Sequence, residues 1–293
     1  MPKVSVLMPA YNAEKYVSKA IESVIDQTFP DWELVIVDDC SSDRTLELCE
    51  EYANRDARIK IYKQEINFGI SITKNRALLK AEGKYIAFCD DDDFMDKDAL
   101  LDNVALMEKN GSQVARWSYR TIRINEANEV TNIKEIVCGD GIYNSRNEIF
   151  ENYKNVHTML SCDWTGLYET AFLRDHNICF NESFLFGGED TEFNVKVLQH
   201  IEKLAMSSKC YYDWYVRKKH STTEKRNINF CISMMDVANK EYLLVKENCE
   251  ESKDVWNEYK IFYEGLIRGY AKKLSDIEKT EVERLLTEAK WNV

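Results

Sequence analysis

The sequence is poor in the residues that build flexible or cross-linked chains. Its 293 residues include only 3 prolines and 10 glycines, too few for long linkers, collagen-like tracts or extended disordered arms. Nine cysteines are present, an odd number without a C-x-x-C pair, which indicates neither a zinc framework nor a disulfide-rich scaffold. We therefore expect a folded protein with reduced cysteines in a cytoplasmic setting.

Long apolar runs and an excess of basic charge are also missing. No stretch approaches the roughly 20 apolar residues of a transmembrane helix, and the first apolar run, Val4–Met8, is too short for a signal peptide. The formal net charge is −12 because 51 acidic residues outnumber 39 basic ones. Such a surface repels polyanions, so we expect no nucleic-acid partner. Peripheral contact with the inner face of a membrane and a homodimer both stay open.

The first hundred residues alternate between buried strands and amphipathic helices. Apolar runs predict strands at Val4–Met8, Glu33–Val37, Ile59–Tyr62 and Tyr85–Cys89. Apolar residues at helical spacing predict helices capped by Asn12, capped by Ser41 or Ser42, and over Ser71–Ala81. This alternation is typical of an α/β protein with a doubly wound, mainly parallel sheet.

The pattern is less regular after residue 100. Strands are expected at Val114–Tyr119, Thr121–Ile124 and Lys209–Val216, and a helix after the Gly187-Gly188 turn. From about residue 225 the chain is amphipathic with helical spacing, which predicts a helical C-terminal extension over 225–293.

Three polar segments follow predicted parallel strands directly: Pro9–Asn12, Asp38–Asp39 and Asp90–Asp93. Ligands of such sheets bind beyond the carboxyl ends of the strands, so these segments are expected to meet. Four adjacent aspartates repel one another unless a cation is bound, and Mg²⁺ or Mn²⁺ prefers carboxylate and phosphate oxygens. The alternative is an acidic solvated turn, but the position after a buried strand favours a metal.

Each of the other candidate groups has both a functional and a purely structural interpretation. Asp38-Asp39 can accept hydrogen bonds from a ribose or a base, or simply precede a capped helix. Glu189-Asp190 can supply a general base, or be acids favoured at a helix N-terminus. The basic run Arg217–His220 can meet a diphosphate, or lie in a solvated loop. Four aromatic residues can stack on sugars, or belong to the core: Trp164, Tyr168, Phe184 and Phe186.

Five segments together resemble a known family. They are Val4–Asn12, Asp38–Thr45, Asn67–Gly69 with Lys74–Arg76, Phe88–Asp93, and Glu189-Asp190. In this order and spacing they are similar to the motifs of the inverting family 2 glycosyltransferases, over roughly residues 3–225. The chain departs from the pattern at Cys40, where a glycine is usual, at Lys74, where an arginine is usual, and at Asp91, where a small residue is common. Lysine lacks the planar fork of arginine.

The resemblance implies a GT-A fold and an inverting sugar transfer. The donor would be a nucleotide-diphosphate sugar, expected to be a UDP-sugar, and the acceptor a hydroxyl of a saccharide or lipid-linked molecule in surface polysaccharide synthesis. Residues 1–224 would form the catalytic domain, with 1–100 the nucleotide-binding half and 101–224 the acceptor half.

The resemblance also implies residue roles. Pro9, Tyr11 and Asp39 would frame the uracil and ribose. Asp190, next to Glu189, would be the base, while Asp92, with His220, would hold Mn²⁺ or Mg²⁺ near the diphosphate. The remaining donor-binding positions implied are Asn12, Asn67, Lys74, Asp90 and Asp91.

Two other functions are weighed against this one. A nucleotidyltransferase also combines an α/β sheet, a metal and a nucleotide, but usually has a glycine-rich phosphate loop after the first strand, where this chain has Pro9-Ala-Tyr-Asn. A non-catalytic subunit of a polysaccharide assembly complex would tolerate loss of Asp92 or Asp190, and both are present.

Overall fold

The computed structural model describes residues 1–185, 187–217, 227–249, 252–289 and 291. The strands are β1 (Val4–Ala10), β2 (Trp32–Asp38), β3 (Ile59–Lys63), β4 (Tyr85–Phe88), β5 (Phe94–Met95), β6 (Val114–Ile124), β7 (Val130–Ile136), β8 (Gly141–Tyr143), β9 (Gly166–Glu169) and β10 (Leu204–Arg217). The helices are α1 (Val17–Ile25), α2 (Thr45–Ala53), α3 (Ile70–Lys80), α4 (Ala99–Asn110), α5 (Arg146–Glu151), α6 (Tyr153–His157), α7 (Thr170–Asp175), α8 (Glu189–His200), α9 (Ile228–Asn248), α10 (Ser252–Ala271) and α11 (Asp276–Glu288).

The strands form one mixed sheet with the order β3-β2-β1-β4-β9-β6-β10-β5, extended by β7 on β6 and β8 on β10. Six of them, β1 to β4 with β6 and β10, run in one direction. Strands β1 and β2 are buried along their whole length, as expected for parallel strands covered on both faces. The predicted α/β class, with a mainly parallel sheet and a helical C-terminal region, is confirmed.

Pro9 does not end the first strand, contrary to the sequence prediction. It lies inside β1, opposite Val37 of β2. Strand β4 reaches only as far as Leu7, so Pro9 has a neighbouring strand on one side alone. A residue without a backbone N–H is tolerated at such an edge position.

The predicted helix caps are wrong. Asn12 has a positive φ of 50°, and its side chain accepts a hydrogen bond from the backbone N–H of Ser42 at 2.8 Å while α1 begins five residues later. Helix α2 begins at Thr45, where Asp43 accepts from the backbone N–H at 2.9 Å. The polar side chains after β1 and β2 therefore bind each other across the sheet edge rather than capping helices.

The two strands expected at Val114–Tyr119 and Thr121–Ile124 are one continuous strand, β6. The charged Arg120 between them lies in the strand because its guanidinium pairs with Asp213 on β10 at 2.5 Å. None of the described helices is long and apolar enough to span a membrane. The domain division at residue 224 stays a prediction.

Candidate active site

The aspartate run after β4 does not act as one unit. Asp93 is buried and accepts from the backbone N–H of Tyr215 at 2.8 Å, and Asp91 accepts from the backbone N–H of Tyr11 at 2.8 Å. These two carboxylates fasten β4 to β10 and to the end of β1. The side chains of Asp90 and Asp92, which alternate with them, are both partly exposed.

Asp92 pairs with Arg217, the last residue of β10. The guanidinium donates to the Asp92 carboxylate at 2.6 Å and to its carbonyl oxygen at 2.5 Å, and it lies 4.1 Å from the centre of the Tyr16 ring. Arg217 is buried although the Asp92 side chain is 39% exposed. The first residue of the predicted basic run, Arg217, thus forms an ion pair with the acidic run. Its other members, Lys218, Lys219 and His220, lie outside the described residues.

The acidic run favours a positive ligand. Burial, together with mutual repulsion, raises the pKa of Asp90 to about 6 and those of Asp91 and Asp93 well above their ordinary range. Burial also raises the pKa of Asp92, although Arg217 opposes the shift. A divalent cation near these carboxylates would favour their charged forms.

The residues present fit a metal held by few protein ligands. Within the described ranges no group of three or more His, Cys, Asp or Glu side chains is arranged to hold a metal. Mg²⁺ is commonly held by one or two carboxylates while substrate phosphates and water complete its shell. Asp90 and Asp92 match that arrangement, and the metal stays a prediction.

Asp39 fixes the loop that leads into α3. Its carboxylate, 4% exposed, accepts from the side-chain amide of Gln64 at 2.7 Å and from the backbone N–H groups of Phe68 and Gly69 at 2.7 and 2.8 Å. This loop presents Asn67 at the surface. Asp39 therefore shapes the expected nucleotide side of the site through the backbone.

Three other expected donor contacts lie at the end of β1. Pro9 is buried, whereas the Tyr11 side chain is 48% exposed. Asn12 connects this segment to the residues after β2, because its backbone N–H donates to the Ser41 hydroxyl at 3.0 Å. The structure thus brings the ends of β1 and β2 together, with the Tyr11 ring open to a ligand.

Lys74 lies at the predicted base and not on the open nucleotide side. Its ammonium is 2.8 Å from Asp163 and 2.7 Å from Asp190, and the side chain is 2% exposed. Burial alone would lower the pKa of Lys74, but the carboxylates of Asp163 and Asp190 outweigh it and raise that pKa well above its usual value. Lys74 is therefore charged, and α3 connects the Asp39 loop to the predicted base.

Glu189 and Asp190 form the first turn of α8, where the helix dipole favours negative charge. The chain enters this turn through Gly188, whose φ is +92°. Glu189 is buried, and burial together with the neighbouring Asp190 raises its pKa to about 7. The Asp190 side chain is 21% exposed. Asp190 is thus the more exposed member of the pair.

Comparison with known proteins decides the family. The family model described as "Glycosyl transferase family 2" matches residues 5–174. The chain belongs to glycosyl transferase family 2.

Individual members of this family are similar to the chain. A Staphylococcus aureus poly(ribitol-phosphate) beta-N-acetylglucosaminyltransferase, TarS, is 33% identical over 216 residues, which are 72% of this chain and 35% of that protein. The putative teichuronic acid biosynthesis glycosyltransferase TuaG of Bacillus subtilis is 43% identical over 106 residues, 36% of this chain and 42% of that one. The chain therefore spans about a third of the length of the first relative and less than half of the second.

A solved family structure shares the fold. The crystal structure of S. aureus TarS 1–349 in complex with UDP-GlcNAc superposes with a TM-score of 0.77 at 25% identity, covering 98% of this chain and 80% of that one. The GT-A fold expected from the motifs is thereby confirmed.

The four candidate aromatic residues divide into two groups. Trp164, Tyr168 and Phe184 are at most 4% exposed, and the Trp164 ring stacks on Tyr212 with centroids 4.4 Å apart. These rings belong to the core, which argues against stacking on a sugar. Phe186 lies outside the described residues.

Sequence reasoning missed Asp163 and the pairing of Arg217 with Asp92. Asp163 lies between Cys162 and Trp164, where the sequence has no periodic apolar pattern. Its one local signal is a charged residue among apolar neighbours. Arg217 is the first residue of the basic run, but the 125 residues that separate it from Asp92 leave no sequence pattern that pairs them.

Proposed function

We propose that the protein is an inverting glycosyltransferase that moves a sugar from a UDP-sugar to a hydroxyl of a saccharide or lipid-linked acceptor in bacterial surface polysaccharide synthesis. The observation that carries this proposal is the arrangement around α3. The Asp39-held loop leads into this helix, and Lys74 on the same helix contacts Asp190 at 2.7 Å. One helix thus joins the expected donor side to the proposed base.

The donor would lie at the carboxyl edge of β1, β2 and β4. The exposed Tyr11 ring offers a stacking surface for the nucleobase, and the loop held by Asp39 borders this surface. Asp90 accepts hydrogen bonds from hydroxyls of the ribose or donor sugar. Asp92 and Arg217 lie where the diphosphate would need both a metal ligand and a cation.

Asp190 would remove the proton from the acceptor hydroxyl while the oxygen of that hydroxyl attacks the anomeric carbon of the donor sugar. The bond to the nucleoside diphosphate breaks in the same step, so the configuration inverts. Lys74 contacts the Oδ1 atom of Asp190, which leaves the Oδ2 atom for the incoming proton. A divalent cation, when bound by Asp92, would supply positive charge for the departing diphosphate.

Nucleotide-sugar binding tests the donor assignment directly. Thermal shifts would be measured with UDP-GlcNAc, UDP-glucose and GDP-mannose, each with and without Mn²⁺. A ligand at 100 times its Kd stabilises the native state by about 2.7 kcal/mol, so UDP-sugars should raise Tm clearly and Mn²⁺ should increase the rise.

Two variants locate the binding. Asp92→Ala should abolish the Mn²⁺-dependent part of the shift. Asp102→Asn, which alters a partly exposed acid bound by Lys209 at 2.9 Å and by the Tyr211 hydroxyl at 2.6 Å, is the control and should keep it. Absence of any UDP-sugar shift, with pyrophosphate released from a sugar phosphate and a nucleoside triphosphate, would establish a nucleotidyltransferase instead.

The non-catalytic alternative makes a different prediction. Such a subunit would bind UDP-sugar without releasing UDP unless a partner protein were added. UDP release by the purified chain with an acceptor argues for an enzyme. The membrane contact and the homodimer stay predictions of the sequence.

A further inference from the structure

The Asp163 carboxylate is wholly enclosed. Its side chain is 0% exposed, and Oδ2 accepts from the Lys74 ammonium at 2.8 Å. Its Oδ1 atom has no hydrogen-bond partner among the described residues. A buried carboxylate is costly unless it is paired. Because it is enclosed, Asp163 cannot contact a substrate and can act only through Lys74.

The chain on both sides of Asp163 is held by hydrogen bonds. Arg116, itself buried, donates to the carbonyl oxygen of Cys162 at 2.6 Å and to the hydroxyl of Thr165 at 2.8 Å. The Tyr168 hydroxyl donates to the carbonyl oxygen of Asp163 at 2.9 Å. These three contacts leave the carboxylate little freedom to follow a moving lysine.

Lys74 is shared between two carboxylates of different exposure. It contacts enclosed Asp163 and partly exposed Asp190 at nearly equal distances, 2.8 and 2.7 Å. An ammonium with one fixed carboxylate partner has a defined position. It then contacts Asp190 at Oδ1 alone and orients the other oxygen. Without the Asp163 carboxylate, the Lys74 ammonium would shift toward Asp190 and contact both of its carboxylate oxygens.

We propose that Asp163 is a positioning residue that acts on Asp190 through Lys74. This inference rests on the proposed function, since it concerns how the base of that reaction is held. Loss of the Asp163 charge should let Lys74 collapse onto Asp190, which would weaken the base and turn its free oxygen away from the acceptor. Misplacement of a reacting group by about 1 Å can cost on the order of 100-fold in rate.

The first test separates kcat from donor binding. Asp163→Asn should lower kcat for UDP release by at least about tenfold, while KM for UDP-GlcNAc stays within about twofold because Asp163 is enclosed. The matched control is Glu192→Gln. Glu192 is on α8, 1% exposed, and held by Lys196 at 2.9 Å and Lys240 at 2.8 Å. The Glu192→Gln substitution should lower Tm and leave kcat near that of the wild type.

A second variant keeps the inference testable where Asp163→Asn folds poorly. Lys74→Gln combined with Asp163→Asn removes the lysine together with its enclosed partner, so only the partly exposed Asp190 loses an ion pair. If Asp163 acts through Lys74, this double variant should be as slow as Lys74→Gln alone. A folded Asp163→Asn protein with wild-type kcat, or a double variant with wild-type kcat, would overturn the inference.

A third measurement needs no activity. Asp163→Asn, Asp190→Asn and their combination form a double-mutant cycle read by Tm. Because both acids share Lys74, the combined loss should exceed the sum of the single losses. The pair Glu192→Gln and Asp190→Asn should be additive. Absence of UDP release by the wild type would refute the proposed function, whereas additivity in the Asp163 cycle would refute the inference.

Discussion

Glu189 is a buried acid beside the proposed base, and its ionisation should influence stability. Burial and Asp190 raise its folded pKa from an ordinary 4.5 to about 7. A raised pKa means that folding favours the protonated form, so the stability contributed is fully present below about pH 4.5 and is lost as the pH rises through about 7. Glu189→Gln should therefore flatten the fall of Tm over this range in metal-free buffer. An unchanged slope would show that Glu189 does not titrate there.

At the residue scale, local patterns revealed some site residues better than others. Asp90 to Asp93 and Glu189-Asp190 are adjacent in sequence, so the motifs show them directly. The different roles of the four aspartates are not visible in the sequence. Asp93, for example, accepts from the backbone N–H of Tyr215, which lies 122 residues further along the chain. The motifs place Lys74 among the expected donor-binding residues, but its contact with Asp163 could not be predicted since the two are 89 residues apart.

The turn before α8 depends on a glycine. Gly188 has a φ of +92°, and a Cβ there would lie 3.0 Å from the sulfur of Met234. Gly188→Ala should therefore cost about 1 kcal/mol or more and displace the two acids that follow. The matched control, Gly269→Ala in α10, meets open space and should stabilise by about 0.5–1 kcal/mol. Urea unfolding measures both, and equal effects would contradict this account.

At the element scale, prediction succeeds where apolar runs are unbroken. The strands of the first hundred residues appear close to their expected bounds, because β1, β2 and β4 are unbroken runs buried along their whole length, whereas α1 and α2 begin later than their predicted caps. Prediction from sequence fails where contacts between distant segments determine the secondary structure. Strand β9 has four residues and lies antiparallel between β4 and β6, and Arg120 lies inside β6 because Asp213 on β10 neutralises it.

The C-terminal helices are fastened to the sheet domain around one buried acid. Glu241 on α9 is 0% exposed and accepts from the hydroxyls of Tyr153 on α6 and Tyr263 on α10, while His157 lies 3.2 Å away. Glu241→Ala would leave buried hydroxyls unpaired, at about 1–3 kcal/mol each. The control Glu258→Ala removes an exposed acid paired with Lys154 and should change the free energy of unfolding by about 0.5 kcal/mol or less.

The outcome of this comparison tests how the whole molecule is built. A large loss for Glu241→Ala within a single unfolding transition would mean that α9 to α11 fold with the rest of the chain. Separate loss of helical signal before the main transition would mean that they form an independent unit. The sequence shows the helices but not this attachment, because Tyr153, His157 and Glu241 belong to segments far apart in the chain.

The central claim is that Asp190 accepts the acceptor proton during sugar transfer from a UDP-sugar. The direct measurement is acceptor-dependent UDP release from UDP-GlcNAc with Mn²⁺, using lipid-linked saccharides as acceptors, for the wild type and Asp190→Asn. General-base catalysis contributes about 10²- to 10⁴-fold, so kcat should fall by that amount while the donor-induced thermal shift is retained. Release of UDP by Asp190→Asn at the wild-type rate would contradict the account.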